Sequence, residues 1–133
     1  MAEIKVICDT DVIIDYFDTR QSRHDVTKRT LEEKIGLDNI MLSAISKMEL
    51  MAGATTKAEL VAIDKRLSRF DTILIDPSIT ELSFTLLRNY KLSHGLALPD
   101  CLIAATSIKT DLQLFTYNVR DFRFIANLKL YKH

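Results

Sequence analysis

The sequence predicts an α/β sandwich whose strands run parallel. Short β-branched apolar runs alternate along the chain with longer segments of helical periodicity, which is the pattern of parallel crossovers. The first run, Ile4–Cys8, is almost entirely apolar, as expected for a strand that is buried on both faces. It ends at a carboxylate, Asp9, at the strand end where ligands of open α/β sheets bind.

The other predicted strands are short apolar runs that lie between turns and helical segments. The last of them is a candidate fifth strand at an edge of the sheet. These runs are Ile40–Ser43, Thr72–Ile75, Leu112–Thr116 and Leu128–Tyr131.

The helices of the first half are marked by capping residues and by apolar residues at helical spacing. Asp11 is the predicted cap of a helix over Val12–Phe17. Asp25 opens the next helix, which ends at Gly36 because glycine is common just after helix C-termini. Ile45–Ala52 is predicted as a third, compact helix, again followed by a glycine.

Three further helices and one helical turn are predicted in the second half. Thr55 or Thr56 caps a helix with an apolar stripe. Asp76 caps the next, which has proline at its first position, and Pro99 opens an alanine-rich helix. Val119–Phe122 is predicted as a single helical turn.

The composition limits the functions open to the chain. Its 133 residues, 47% of them apolar, suffice for one domain with a real core, and we expect a single domain over residues 1–133. The formal net charge of zero argues against a nonspecific polyanion binder, so any nucleic-acid contact must be local. Cys8 and Cys101 do not make a disulfide scaffold, and with three scattered histidines they lack the close pairing of a zinc site. No signal peptide or membrane span is predicted, and we expect a cytoplasmic protein.

Most of the 18 acids have a local explanation as helix caps, turn residues or partners of basic neighbours. Four are explained less well. Asp9 ends a buried strand, and Glu49 lies on a mostly apolar helix. Asp100 lies in the first turn of a helix of small and apolar residues, and Asp121 follows a strand end. Each has a structural alternative: a helix cap, a solvent-facing stripe, an interaction with the helix dipole, or an ion pair with a neighbouring arginine.

Together the four acids form a pattern that these alternatives do not explain. Each follows a strand or lies near the start of a helix on the same side of the predicted parallel sheet, so all four should converge on one edge. Crowded carboxylates raise one another's pKa and are tolerated when a cation neutralises them. An all-oxygen ligand set selects a hard ion, Mg²⁺ or Mn²⁺, and such an ion suits phosphodiester cleavage.

The segments that carry these acids resemble the motifs of the PIN-domain ribonucleases, and within them the VapC-type toxins of prokaryotic toxin–antitoxin pairs. They come in the order and at the separations of that family and span nearly the whole chain. Four such segments in order are far more specific than any one of them. They are Val6–Asp15, Leu42–Gly53, Gly95–Thr106 and Leu114–Phe122.

The resemblance implies a three-layer α/β/α sandwich with a central parallel sheet. It also implies that Asp9, Glu49 and Asp100 are metal ligands, directly or through water. The fourth acid position is assigned to Asp121, with Asn118 orienting water or a ligand. Three hydroxyls are candidates for holding metal-bound water, although each also fits an ordinary cap or turn: these are Thr10, Ser46 and Thr116.

On this resemblance we expect a metal-dependent endoribonuclease that leaves a 5′-phosphate and a 3′-hydroxyl. A Mg²⁺ or Mn²⁺ ion held by Asp9 and Asp100 would lower the pKa of a water molecule that attacks phosphorus in line. Glu49 and Asp121 would complete the cage or position water.

The expected partners are RNA, an antitoxin protein and a second copy of the chain. Positive charge near the acids would guide RNA, although each basic residue also fits a solvated surface position; the candidates are Arg20, Arg23, Lys47, Arg120 and Arg123. The resemblance implies a homodimer and an antitoxin that inserts a basic side chain among the acids. The apolar stripes that either belong to the core or bury against partners are Leu60/Ile63/Leu67/Phe70 and Thr27/Leu31/Ile35.

Two other interpretations stay open at this point. A haloacid-dehalogenase-type phosphatase would use Asp9 as nucleophile and Asp11 as acid, but it needs a later lysine and a late acidic pair, whereas Asp121 stands alone. A PIN-like module with a dead site would act through RNA or protein contacts alone, and Asn118 is compatible with such a loss. Only an intact site should gain thermal stability from Mg²⁺ or Mn²⁺.

Overall fold

The computed structural model describes residues 4–133, and its centre is a four-stranded sheet in which all neighbouring strands are parallel. Residues 1–3 of the predicted domain lie outside that range. The strand order is β3-β2-β1-β4, so β1 has a partner on each side, which explains its unbroken apolar sequence. The strands are β1 (Val6–Cys8), β2 (Ile40–Ser43), β3 (Asp71–Ile73) and β4 (Gln113–Phe115).

Six α-helices connect and flank the strands. They are α1 (Thr10–Phe17), α2 (His24–Arg29), α3 (Ala44–Ala52), α4 (Lys57–Leu67), α5 (Pro77–His94) and α6 (Leu98–Thr110). A π-helical segment, Thr30–Ile35, continues α2 to Gly36, whose φ of 92° favours glycine. Two short 3₁₀ turns cover Leu37–Asn39 and Val119–Asp121. In the described part of the chain, no helix combines the length and apolar character that crossing a membrane requires.

Side chains of successive strand residues belong alternately to two hydrophobic cores, one on each face of the sheet. Ile7 and Leu114 belong to the core that contains residues of α5 and α6, such as Ile103. Their strand neighbours Cys8 and Phe115 belong to the other core, together with residues of α1 and the π-helical segment. This alternation of period two places helices on both faces of the sheet. The predicted three-layer α/β/α sandwich is therefore confirmed.

Two strand predictions need correction. Ile4 is 71% exposed, and β1 begins only at Val6. The predicted fifth strand at Leu128–Tyr131 is not formed: Leu130 makes only an isolated parallel bridge to Leu114. The reason is local, because the N–H of Leu128 is bonded to the carbonyl of Ile125 in the preceding turn and does not pair with β4.

The predicted cap of α1 is also wrong. Asp9, not Asp11, is the N-cap, and its Oδ1 accepts a 2.8 Å hydrogen bond from the N–H of Thr10. Helix α1 begins directly after β1, so Asp11 falls in its first turn. Helix α2 begins at His24, one residue before the predicted Asp25, and it has no side-chain cap.

The later capping predictions agree with the structure. Thr56 caps α4, and Asp76 caps α5 with Pro77 at the first helical position. The α4 stripe is only partly core, because Leu67 is buried whereas Leu60 is 38% exposed. Both cysteines are free and buried.

Candidate active site

Carboxylates from four segments of the chain meet beyond the carboxyl ends of β1 and β4. Asp9 follows β1, Glu49 lies on α3, Asp100 lies in the first turn of α6, and Asp121 ends a 3₁₀ turn after β4. Burial raises the pKa of Asp100 to about 6, and the charges of Asp9, Asp121 and Glu49 add to that rise. The charges of the other three acids therefore act on Asp100, as expected if the four share one site.

Asp9 is held by hydrogen bonds to both of its carboxylate oxygens. Its Oδ1 accepts from the N–H of Thr10, and its Oδ2 accepts from the hydroxyl of Thr116 at 2.8 Å. The residue is only 4% exposed. Burial raises the pKa of Asp9, the bonds from Thr116 and Thr10 lower it, and the charge of Glu49 raises it further. Its position is thus fixed before any ligand binds.

Glu49 is tied to the start of α1 through a chain of hydroxyls. The hydroxyl of Thr10 donates to Oε1 of Glu49 at 2.7 Å. The same Thr10 oxygen lies 3.0 Å from Oγ of Ser46. Ser46 is buried in the first turn of α3, where its N–H donates to the capping hydroxyl of Ser43. Thr10 therefore contacts both the glutamate and Ser46, and Ser43 is the cap of α3.

The fourth position is formed by the turn after β4. The backbone N–H of Asn118 donates to the Thr116 hydroxyl oxygen at 3.0 Å. The N–H of Asp121 donates to the carbonyl of Asn118 at 2.9 Å, which closes the turn. Asp121 is exposed and, with Asp100, lines a cavity of about 550 Å³. The structure thus places the Asp121 carboxylate at the site and gives the Asn118 backbone a structural contact.

Asp11 also belongs to this region, although its sequence position suggested only a cap. Its Oδ2 accepts from the N–H of Tyr117 at 3.0 Å. Its Oδ1 is buried and has no hydrogen-bond partner within residues 4–133. Burial, and then the charge of Asp9, raise the pKa of Asp11 to about 7. No sequence signal marks this contact, because Tyr117 is 106 positions away.

The basic residues predicted to contact RNA fall into two groups. Arg23 bonds Oδ2 of buried Asp15 at 2.7 Å and lies over the ring of Tyr117, and exposed Arg20 pairs with Asp18. These two side chains are already engaged. The remaining three form no salt bridge to any described residue, and two of them line the cavity beside Asp100: these three are Lys47, Arg120 and Arg123.

The donor set fits a hard divalent cation in its chemistry. All four acids offer oxygen ligands, and their mutual repulsion is what a cation would relieve. Within residues 4–133, no three acid, histidine or cysteine side chains lie close enough to hold an ion by themselves. Mg²⁺ usually binds one or two carboxylates and keeps waters and substrate oxygens as its other ligands, which is compatible with this looser arrangement.

Comparison with known proteins identifies the family. The PIN domain profile matches residues 6–128. Ribonuclease VapC19 of Mycobacterium tuberculosis is 36% identical over 93 residues, which cover 69% of this chain and 74% of the relative. Ribonuclease VapC10 of the same organism is 35% identical over 91 residues, covering 68% of each protein.

The fold is also shared with solved structures. A toxin–antitoxin complex from Klebsiella pneumoniae contains a chain that is 32% identical, with a TM-score of 0.76 and coverage of 97% of this chain and 100% of the other. VapBC2 from Rickettsia felis bound to promoter DNA, at 23% identity, shows the same fold with a TM-score of 0.75 over 96% of this chain and 98% of the other. The haloacid-dehalogenase alternative is thereby replaced. The chain belongs to the PIN-domain family, and within it to the VapC-type ribonucleases.

Proposed function

We propose that this protein is a metal-dependent endoribonuclease and the toxin of a type II toxin–antitoxin pair. The observation that carries the proposal is the convergence of four carboxylates: burial, and then the charges of the other three acids, raise the pKa of Asp100. Such a cluster destabilises the folded protein unless a cation neutralises it. Clusters of this kind are typical of functional sites. The match to VapC-type ribonucleases supplies the reaction class.

Asp9 and Asp100 are the proposed direct ligands of Mg²⁺ or Mn²⁺. Asp9 is oriented by Thr116 and by the N–H of Thr10, so its carboxylate needs no rearrangement to bind an ion. A bound divalent ion supplies positive charge that activates water and neutralises the phosphate oxygens.

Glu49 and Asp121 are proposed to complete the site from the two sides. Thr10, which also contacts Ser46, holds Glu49 where the glutamate can accept a proton from water or orient the water. Asp121 lies on the exposed wall of the cavity and can take the same role on its side. Hydrolysis breaks the bond between phosphorus and the 3′-oxygen, which leaves a 3′-hydroxyl and a 5′-phosphate.

The RNA-binding residues are proposed from charge and position. Arg120 and Arg123 line the cavity beside Asp100 and Asp121, and Lys47 directly follows Ser46 on α3. Arg20 and Arg23 would contact RNA only with their remaining donors, since each already binds a carboxylate. A few local cations on a chain of zero net charge favour a selected RNA over indiscriminate binding.

An antitoxin protein and a second copy of the chain are the proposed protein partners. The similar chains from Klebsiella pneumoniae and Rickettsia felis come from toxin–antitoxin assemblies. An arginine from an antitoxin, placed among the four acids, would supply the charge that the cation otherwise supplies. We further propose that the protein acts in the cytoplasm, where its RNA substrates are found.

RNA cleavage with matched variants tests this function. A panel of structured and single-stranded RNAs is incubated with the protein in Mn²⁺, in chelator, and with Asp9→Asn. Asparagine still caps a helix, so this variant should fold. We expect cleavage only by the metal-loaded wild type, with a loss on the order of 100-fold or more in the variant. Asp64→Asn, which removes an exposed carboxylate on α4 that does not line the cavity, is the control and should cleave normally.

The result can contradict the proposal in two ways. Cleavage that survives both chelator and Asp9→Asn would exclude a metal-dependent reaction at these acids. Absence of cleavage together with absence of a metal-induced rise in Tm would favour a PIN-like binding module with a dead site.

A further inference from the structure

The cavity beside Asp100 and Asp121 has features that the acid cluster does not require. Its volume of about 550 Å³ is in the range of small-ligand sites, roughly 300–1,000 Å³. Besides the two acids, the lining includes two rings and two cationic side chains: His94, Phe124, Arg120 and Arg123. Acids, cations and flat rings therefore share one recess.

The two rings form a stacked pair at the end of α5. The centroids of His94 and Phe124 are 4.2 Å apart and their planes differ by 14°. Tyr90 contacts both rings, with centroids 5.7 Å from His94 and 5.3 Å from Phe124. The Tyr90 hydroxyl accepts the N–H of Ala126 at 3.1 Å, which links α5 to the segment that carries Phe124.

His94 is the exposed member of this aromatic pair, while Phe124 is half-buried against the core. The Nδ1 atom of His94 lies 2.7 Å from the hydroxyl of Ser93, which restricts the ring. An oriented, solvent-facing ring that lines a cavity is the kind of surface on which an unpaired base stacks.

The cationic side chains of the cavity are available for phosphate. Neither Arg120 nor Arg123 forms a salt bridge within the described part of the chain, although Asp121 lines the same recess. Guanidinium groups match the geometry of phosphate oxygens. The parts of one nucleotide therefore each have a counterpart in the cavity. The stacking surface corresponds to the base, the two guanidinium groups to the phosphates, and the acids to the scissile bond.

We propose that this cavity is a nucleotide-binding subsite that holds one unpaired nucleotide next to the scissile phosphate. His94, supported by Phe124, stacks on the base, and Arg120 and Arg123 bind the flanking phosphates. The enzyme would therefore require an unpaired nucleotide at one fixed position beside the cleavage point. This inference rests on the proposed ribonuclease function, because Asp100 and Asp121 mark where the scissile phosphate would lie.

Base removal combined with His94→Ala tests the stacking. The substrate is a short single-stranded RNA that the wild type cleaves, with the base removed at one position at a time around the cleavage point. We expect His94→Ala to lower kcat/KM roughly 5- to 100-fold, mainly through KM. One abasic position should cause a similar loss in the wild type and no further loss in the variant. His94→Tyr keeps a ring and should retain most of the activity.

The salt dependence of binding tests the arginines at pH 8. Labelled single-stranded RNA is titrated in the presence of chelator, which prevents cleavage. Arg123→Gln should reduce the slope of log K against log salt by about 0.7, the value for one phosphate contact on a single strand. Arg88→Gln makes the same charge change on α5 outside the lining of this cavity and should leave the slope unchanged. His94→Ala should weaken binding without changing the slope.

These measurements separate the subsite from the ribonuclease function. If the wild type cleaves and His94→Ala cleaves equally well, the subsite is overturned while the function stands. If the wild type cleaves no RNA and shows no metal-induced rise in Tm, but binds the labelled strand more tightly than His94→Ala does, the subsite stands and the nuclease assignment fails. Equal binding by the two proteins, or binding by neither, overturns the subsite.

Discussion

The hydroxyl of Thr116 donates a 2.8 Å hydrogen bond to Oδ2 of Asp9, although the two residues are 107 positions apart. The same hydroxyl oxygen accepts the N–H of Asn118 at 3.0 Å. A hydroxyl has one proton, so this arrangement commits that proton to the carboxylate of Asp9. Strands β1 and β4 are neighbours in the sheet, and the hydrogen bond between their adjacent ends opposes the rise in the pKa of Asp9 that burial causes.

Thr116→Val should move the acid limb of the cleavage profile to higher pH. The Thr116 bond lowers the pKa of Asp9, so its removal raises that pKa and leaves more of the carboxylate protonated at low pH. A hydrogen bond to a charged group contributes about 1.5–3 kcal/mol, so kcat/KM on the acid limb should fall roughly 10-fold or more and the loss should shrink at high pH. Thr116→Ser is the control and should keep the wild-type profile. An equal loss at every pH would contradict this explanation.

Asp100→Asn should stabilise the protein when divalent ions are absent. The folded-state pKa of Asp100 is about 6, above its ordinary value of 3.8. Between these values the folded state binds more protons than the unfolded state, so this group's contribution to stability falls as pH rises through that window. The charged form is thus unfavourable at about pH 8, where we expect the variant's Tm to rise by about 2–6 °C.

The same melting experiment provides its own controls. Below about pH 3, Asp100 is protonated in both states and the gain in Tm should disappear. Asp64→Asn should change the Tm little at either pH, because Asp64 is exposed. A gain in Tm that did not depend on pH would mean that charge repulsion at Asp100 is not its cause.

Mn²⁺ should raise the Tm of the wild type but not that of Asp9→Asn or Asp100→Asn. A ligand that binds only the native state stabilises it by about 2.7 kcal/mol at a concentration 100 times its Kd. Each substitution removes a proposed direct ligand, whereas Asp64→Asn should retain the full shift. Differential scanning fluorimetry in chelator and in increasing Mn²⁺ measures this effect. Equal shifts in wild type and Asp9→Asn would place the ion elsewhere on the protein.

Arg23→Ala should mainly lower the free energy of unfolding. The Arg23 guanidinium bonds Asp15, which is only 5% exposed, and it lies 4.0 Å from the centroid of the Tyr117 ring. Removing it leaves a buried carboxylate without its cation and should cost about 2–3 kcal/mol, measurable by urea unfolding. Arg20→Ala, at an exposed pair, should leave the unfolding midpoint nearly unchanged. If Arg23→Ala instead weakened RNA binding with unchanged stability, Arg23 would be primarily an RNA contact.

The residue pattern was enough to predict a parallel sheet with helices on both faces, and it singled out four acids as candidates for a site at one edge of that sheet. Apolar runs separated by helical periods indicate parallel crossovers, and the carboxyl ends of parallel strands share one edge. Helix ends could also be predicted, because capping depends on nearby backbone groups. Examples are Gly36 and Gly53, each of which follows a helix, and Asp76, which precedes one. These features are local, or they follow from the direction in which the strands run.

Two predictions from the sequence were wrong because of the way neighbouring segments of the chain connect. Asp9 caps α1 instead of Asp11, because β1 passes into α1 without an intervening turn. Asp11 instead accepts a hydrogen bond from the backbone of Tyr117, near the other end of the chain. The segment at Leu128–Tyr131 stayed a single bridge because its first residue is held by the preceding turn.

Two further features existed only once the chain had folded. Arg23 is engaged by Asp15, and the rings of His94 and Phe124 stack across 30 positions of sequence. Hydrogen bonds, ion pairs and ring contacts act over a few ångströms in space, whereas periodicity and capping act over a few residues of chain. The sequence by itself therefore determined the architecture and the acids, and the tertiary structure decided which side chains hold those acids and what surrounds them.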